Sequence, residues 1–135
     1  MPHIAIEYTA NLADEIDVQG LIDSLHDTAQ RLNVFPHWGI RTFATVVDHY
    51  RVADDVAGGT HGYVHVRLKV AGGRARDTLE LIVDECHATL TAALADLTTD
   101  RCVGFQLEVF QFDPVTTRSG GSIPGSPTSP DRAGS

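Results

Sequence analysis

The second residue of the chain is a proline, and it follows the only methionine, Met1. A small second residue is the usual condition for removal of the initiator, so the mature chain is expected to begin with the secondary amine of Pro2. An ordinary α-amino group titrates at about 7.7–8.0, and a prolyl amine is somewhat more basic, so at neutral pH it is mostly protonated. An apolar surround and nearby cations penalise the ammonium form and lower its pKa. A shift of about two units corresponds to about 2.7 kcal/mol and leaves an appreciable neutral fraction near pH ~7. Such an amine can take a proton from an enol, or from carbon beside a carbonyl, and return it elsewhere in a conjugated system. One group acting as base and then as acid suffices for a 1,3- or 1,5-proton shift. Taken alone, Pro2 reads more simply as a proline that starts a strand, a normal place for it.

The other reactive side chains narrow the choice. Lys69 is the only lysine. It lies in a run with strand periodicity and no GxxxxGK[ST] around it, which removes the P-loop reading. His61 and His65 are four apart, but on a strand that separates them by about 13 Å, too far for one metal ion. His37 and His49 are expected to be exposed, and His3 to support the start of the first strand. The acidic run Asp14, Glu15 and Asp17 is a solvated loop and helix start and gives no reason for a metal site. Cys86 and Cys102 form no metal or redox motif and are expected to be free thiols packed as small hydrophobes. With 18 Asp+Glu against 10 Lys+Arg the net charge is -8 and the pI about 5.1. Nucleic acid and anionic membrane both need a positive field, so neither is expected as a partner. No apolar run approaches the roughly 20 residues of a membrane span, and no leader pattern opens the chain, so a cytoplasmic location is expected.

Four strands and two helices must position these groups. His3 to Thr9 alternates Ile4, Ile6 and Tyr8 against Ala5, Glu7 and Thr9. From Asp17, a candidate N-cap, apolar residues recur at Val18, Leu21, Ile22, Leu25, Ala29 and Leu32, and Asn33 and Pro36 end the helix. Arg41 to Arg51 reads as a second strand. Ala53 to Thr60 is a loop. Tyr63 to Val70 alternates most cleanly and reads as a third strand. Asp77 with Glu80 resembles a capping box opening a second helix that carries Leu79, Ile82, Val83, Cys86, Leu90, Ala93, Leu94 and Leu97 on one face. Cys102 to Phe112 is the fourth strand. After Asp113 the composition turns to Pro, Gly and Ser. The chain thus divides into a folded domain, 1–113, and a tail, 114–135, expected to be disordered. Strand-helix-strand twice over gives an α+β fold, a four-stranded sheet with both helices on one face. The other face carries Phe43, Val47 and Phe110, which is best explained by burial against further copies of the chain.

Three blocks bear a resemblance. The opening MPHIAIEYTANL, the segment VFPHWGIR (Val34 to Arg41) and the segment YVHVRLKVAGGR (Tyr63 to Arg74) are together similar to the 5-carboxymethyl-2-hydroxymuconate Delta-isomerase family of the tautomerase superfamily. The likeness runs from Met1 to about Asp113. It implies a tautomerase-like double β-α-β fold assembled as a homotrimer. It also implies cofactor-free isomerisation of an unsaturated 2-hydroxy/2-oxo di- or tricarboxylic acid in aromatic catabolism. Pro2 would be the catalytic base, and Arg41 and Arg74 would bind a small carboxylate substrate. A guanidinium pairs with a carboxylate at two points and keeps its proton, which suits such a role. It would also stabilise charge growing on a dienolate oxygen more than the ground state.

Arg76 competes with Arg74, and two basic residues in one loop also resemble malonate semialdehyde decarboxylase, another superfamily member. An aromatic pocket of Phe35, Trp38 and Tyr63 is partly shared with the family. The family's polar and aromatic C-terminal extension is replaced by the Pro/Ser/Gly tail. The alternatives to the isomerase are a Pro-dependent decarboxylase or hydratase of a small oxo acid, and a non-catalytic oligomeric binding domain.

Overall fold

A computed structural model describes residues 2–126; Met1 and residues 127–135, the end of the expected tail, lie outside the described residues. The strands are β1 (Pro2–Thr9), β2 (Arg41–Val47), β3 (Gly62–Ala71) and β4 (Val103–Phe112), and the helices are α1 (Val18–Leu32), α2 (Arg76–Ala93) and the short α3 (Ala95–Asp100). The sheet order is β2-β1-β3-β4. β1 runs parallel to β2 across α1, and β3 runs parallel to β4 across α2. The two halves meet where β1 and β3 pair antiparallel. The α+β fold is the expected one.

Side-chain alternation decides which face is covered. On β1 and β3, Ile4, Ile6, Val64, Val66, Leu68 and Val70 are all buried. They share one core with Leu21, Leu25 and Ala29 of α1 and Ile82, Cys86 and Leu90 of α2, so both helices lie on this face. Truncating one such side chain, Leu25 to Ala, costs about 2–5 kcal/mol. Thr28 is the buried polar exception in α1; its hydroxyl donates to Ser24 O (2.9 Å) and meets Thr89 Oγ1 of α2 at 2.7 Å. α1 is closed as read. The Asp17 carboxylate accepts from Gly20 N–H at 3.0 Å, and Asn33 takes the left-handed conformation at φ 56°.

The opposite face is uncovered in a single chain. Phe43 is 48% and Phe110 46% exposed there. Between them the face is polar. Glu7 Oε1 lies 3.3 Å from Arg67 and 3.6 Å from His65 Nδ1, while His65 Nε2 lies 2.6 Å from Glu108.

Several boundaries differ from the sequence reading. β2 stops at Val47, four residues before Arg51. α2 begins at Arg76 with Ala75 as an N-cap that offers no side chain, so Asp77 is not the cap. Asp77 lies instead in the first turn, where its charge still favours the helix N-terminus. The helix does not run unbroken to Leu97. It is interrupted at the buried Leu94 and resumes as α3. Cys86 is buried as expected, which pushes its thiol up to about 11, but Cys102 is exposed. The tail begins with structure. Asp113 accepts from Val115 N–H at 2.9 Å to cap a short turn over Pro114–Thr116, and further on Gly125 lies against the Trp38 ring.

Among the described residues, no buried hydrophobic side chain lies beyond Leu94. Deleting residues 119–135 should therefore lower the melting temperature by less than about 3 °C. Differential scanning calorimetry of the two chains checks this, and a larger drop would place structural weight on the tail.

Candidate active site

Topology gathers the sequence candidates at one end of the sheet. β1 and β2 begin there, and β3 and β4, running the other way, end there. Pro2 is buried at the head of β1 and pairs with Val70 near the end of β3. His3, next along, pairs with Arg41 on one side and Lys69 on the other, which puts all three on the uncovered face. Arg74 follows β3 after two glycines. Gly72 donates its N–H to Phe112 O at 3.1 Å, and an added Cβ would stand 3.0 Å from that same oxygen. Gly73 has φ 86°, the left-handed region that favours glycine. This tight turn delivers Arg74 to the segment between α1 and β2.

That segment gives each arginine an aromatic ring. Arg74 lies over Phe35, 4.8 Å from the ring centroid, and donates to Val34 O at 3.1 Å. Arg41 lies over Trp38 at 5.9 Å. A cation over a ring face gains about 0.5–1 kcal/mol when exposed and about 2 when desolvated. Arg74 Nε is buried with no hydrogen-bond partner among the described residues. A donor left so is costly unless something else satisfies it. Arg76, the competitor, is 89% exposed and turned toward Glu80 at 3.1 Å. Of the two, it is Arg74 that packs at this end of the sheet.

The surrounding charge is positive. His3 Nε2 lies 3.4 Å from Arg41 Nη1. Burial, then the Arg41 guanidinium, and also the Lys69 ammonium, hold the His3 imidazole below its ordinary range. A cavity of about 560 Å³ opens beside it, lined by His3, Ala5, Phe43, Arg67, Lys69, Phe110 and Gln111. No carboxylate is among these. The end of the sheet that starts with Pro2 is thus a cationic, aromatic-walled place in an acidic protein, suited to an anion.

One sequence expectation is corrected. Tyr63 does not join Phe35 and Trp38. It stands near the start of β3, which runs antiparallel to β1, and so lies at the far end of the sheet, where it stacks on His65 at 6.0 Å. There it lines a separate cavity of about 430 Å³ with Tyr8, Tyr50 and Arg51. What sequence reasoning missed is the one-to-one match of Phe35 with Arg74 and Trp38 with Arg41. The signal was present in the aromatic residues of FPHWG, but nothing in a linear spacing assigns a ring to a guanidinium. Among the described residues no group of three or more His, Cys, Asp or Glu converges as metal ligands, and no helix is long and apolar enough to cross a membrane.

Comparison with known proteins is consistent in sequence and in fold. The model of the 5-carboxymethyl-2-hydroxymuconate isomerase family matches residues 2–124. A relative from Escherichia coli, 5-carboxymethyl-2-hydroxymuconate Delta-isomerase, is 28% identical over 117 residues, covering 85% of this chain and 90% of its own length. A crystal structure of 5-carboxymethyl-2-hydroxymuconate delta-isomerase superposes with a TM-score of 0.84 at 25% identity, covering 91% of this chain and 90% of that one. The 5-carboxymethyl-2-hydroxymuconate isomerase of Deinococcus radiodurans R1 gives a TM-score of 0.81 at 28% identity, over 90% of each chain.

The Arg74 contacts have a measurable weight. Arg74→Ala removes a charged donor to Val34 O and a cation over Phe35, and should lower stability in urea titration by about 2 kcal/mol. A loss below about 0.5 kcal/mol would show that these contacts do not hold the loop.

Proposed function

The chain belongs to the 5-carboxymethyl-2-hydroxymuconate isomerase family, and on that footing we propose that Pro2, Arg41 and Arg74 shift a proton within an unsaturated 2-hydroxy/2-oxo di- or tricarboxylic acid. It is an isomerase of the tautomerase superfamily. The observation that carries the assignment of residues is the meeting of the head of β1, the head of β2 and the turn after β3 at one end of the sheet.

The chemistry follows from that placement. With Met1 removed, the nitrogen of Pro2 is a secondary amine at a buried position, with Arg41, Lys69 and Arg74 at the same end of the sheet. Burial and these cations both disfavour the ammonium form, so a neutral base is available near neutral pH. Arg41 and Arg74 take the carboxylates of the substrate in two-point fashion. Pro2 removes the proton from the enol oxygen or the carbon beside the carbonyl. As charge develops on the dienolate oxygen, a guanidinium already held in place stabilises it without rearranging. The prolyl ammonium then returns the proton to another carbon of the conjugated chain. The amine is regenerated and atoms balance within the substrate, so the step calls for no cofactor. By its family, the natural substrate is one resembling 5-carboxymethyl-2-hydroxymuconate, in aromatic catabolism in the cytoplasm.

The working unit is a homotrimer on this reading. Its support is the uncovered sheet face with Phe43 and Phe110, which a single chain leaves exposed to water.

Intact mass is the first check: loss of Met1 is required, because a retained methionine turns the Pro2 nitrogen into an amide with no basicity. Pro2→Ala should then cut turnover of a 2-hydroxymuconate-type dienol diacid by at least about tenfold, while sedimentation still reports the wild-type oligomer. Unchanged turnover would remove Pro2 from the mechanism. Arg41→Ala should raise KM most for diacids, and an equal loss on monoacids would argue against a two-point hold. Turnover of malonate semialdehyde in place of the dienol would move the chain to the decarboxylases.

A further inference from the structure

We propose that His3 is a positioning residue for the isomerisation, its neutral imidazole holding the Arg41 guanidinium in the orientation that receives the substrate carboxylate. The proposal rests on the reading of Arg41 as a carboxylate-binding residue. It goes beyond that reading in giving His3 a part in the chemistry, where its sequence position suggested only strand support.

The geometry is set by the backbone. His3 and Arg41 are register partners on adjacent parallel strands, so their side chains leave the sheet on the same face. His3 Nε2 stands 3.4 Å from Arg41 Nη1, at the long end of hydrogen-bond range. A guanidinium can only donate, so the contact requires Nε2 to be the acceptor and the ring to be neutral. Trp38 meets the same guanidinium from the other strand-flanking segment at 5.9 Å. Ring nitrogen and indole face therefore constrain different parts of one planar group.

The charges around His3 protect that neutral state. Arg41 faces it from β2, and Lys69 faces it from β3 as its register partner. Arg67, also on β3, lines the same cavity, but its charge is met by Glu7 at 3.3 Å, so the cations that bear on the ring are Arg41 and Lys69. Burial, Arg41 and Lys69 act in the same direction on the imidazole, lowering its pKa from 6.5. At neutral pH the ring accepts. As pH falls through the lowered His3 value the ring gains a proton and loses its acceptor. The hold on Arg41 is then lost and a like charge takes its place. Diacid KM should rise on this acid side, below the ordinary histidine range.

The test is a KM-against-kcat comparison across pH with a 2-hydroxymuconate-type diacid. His3→Phe, which keeps a ring without an acceptor, should raise KM about three- to tenfold at neutral pH with a smaller change in kcat. His3→Gln, which keeps an acceptor that does not titrate, should recover most of that loss and abolish the acid-side rise in KM. In an Arg41→Ala background, His3→Phe should add no further increase, as expected of residues that act through one another. If Gln loses as much as Phe, or if the His3 and Arg41 effects on KM simply multiply, His3 is only a strand support and the proposal fails. If Arg41→Ala itself leaves diacid KM unchanged, the carboxylate-binding reading of Arg41 fails and takes this proposal with it. Thermal melts of both His3 variants separate a folding defect from either result; a Phe variant that does not fold is replaced by His3→Leu, and a Gln variant by His3→Asn, each judged by the same criteria.

Discussion

The pairing of Pro2 with Val70 is the constraint on which the rest of the site depends. It places the first described residue of the chain in a central strand instead of a frayed terminus. A residue near a chain end is ordinarily mobile, and the role proposed for Pro2 calls for an amine whose orientation need not be fixed anew at each turnover. Here the ladder on both sides of β1 holds the following residues, and the buried Ile4 and Ile6 lock the strand against both helices. The precision of the site is thus drawn from the hydrophobic core.

The same pairing determines what stands around Pro2. Because β2 is parallel to β1 and β3 antiparallel, the heads of two strands and the tail of a third share one edge. Cationic residues at the ends of these strands converge without any being adjacent in sequence. Their mutual repulsion is offset locally. Arg74 lies over Phe35, Arg41 lies over Trp38, and Arg67 is paired with Glu7. An aromatic face meets a guanidinium from above its plane and does not itself take up the in-plane donors, as a salt bridge would.

Much of this was legible in the chain, for identifiable reasons. Alternation in YVHVRLKV fixes a strand because every second side chain is buried, and Val64, Val66, Leu68 and Val70 are all enclosed. Asp17 and Asn33 bound α1 because their side-chain and backbone chemistry acts within a few residues. The failures share the opposite character. The end of β2 at Val47 is set by the extent of its pairing with β1, which stops at Thr9. The interruption at Leu94 keeps the apolar spacing that signals a helix, so periodicity cannot reveal it. Linear spacing groups Tyr63 with the wrong aromatics because the direction of a strand is a property of the sheet, invisible in a local window. The contact of Gly125 with Trp38 joins residues almost ninety positions apart in a segment whose composition signals only disorder.

The two halves of the sheet repeat one strand-helix-strand order turned head to tail, and they differ in how their first strands open. Gly62 opens β3 as Pro2 opens β1. Yet Gly62 lies beneath Leu12, where an added Cβ would come within 2.7 Å of a methyl group, and its N–H is committed to Cys102 O at 3.0 Å. The chain runs through that position as an ordinary amide, sealed and inert. A scaffold with two related strand heads therefore keeps one of them closed beneath a leucine.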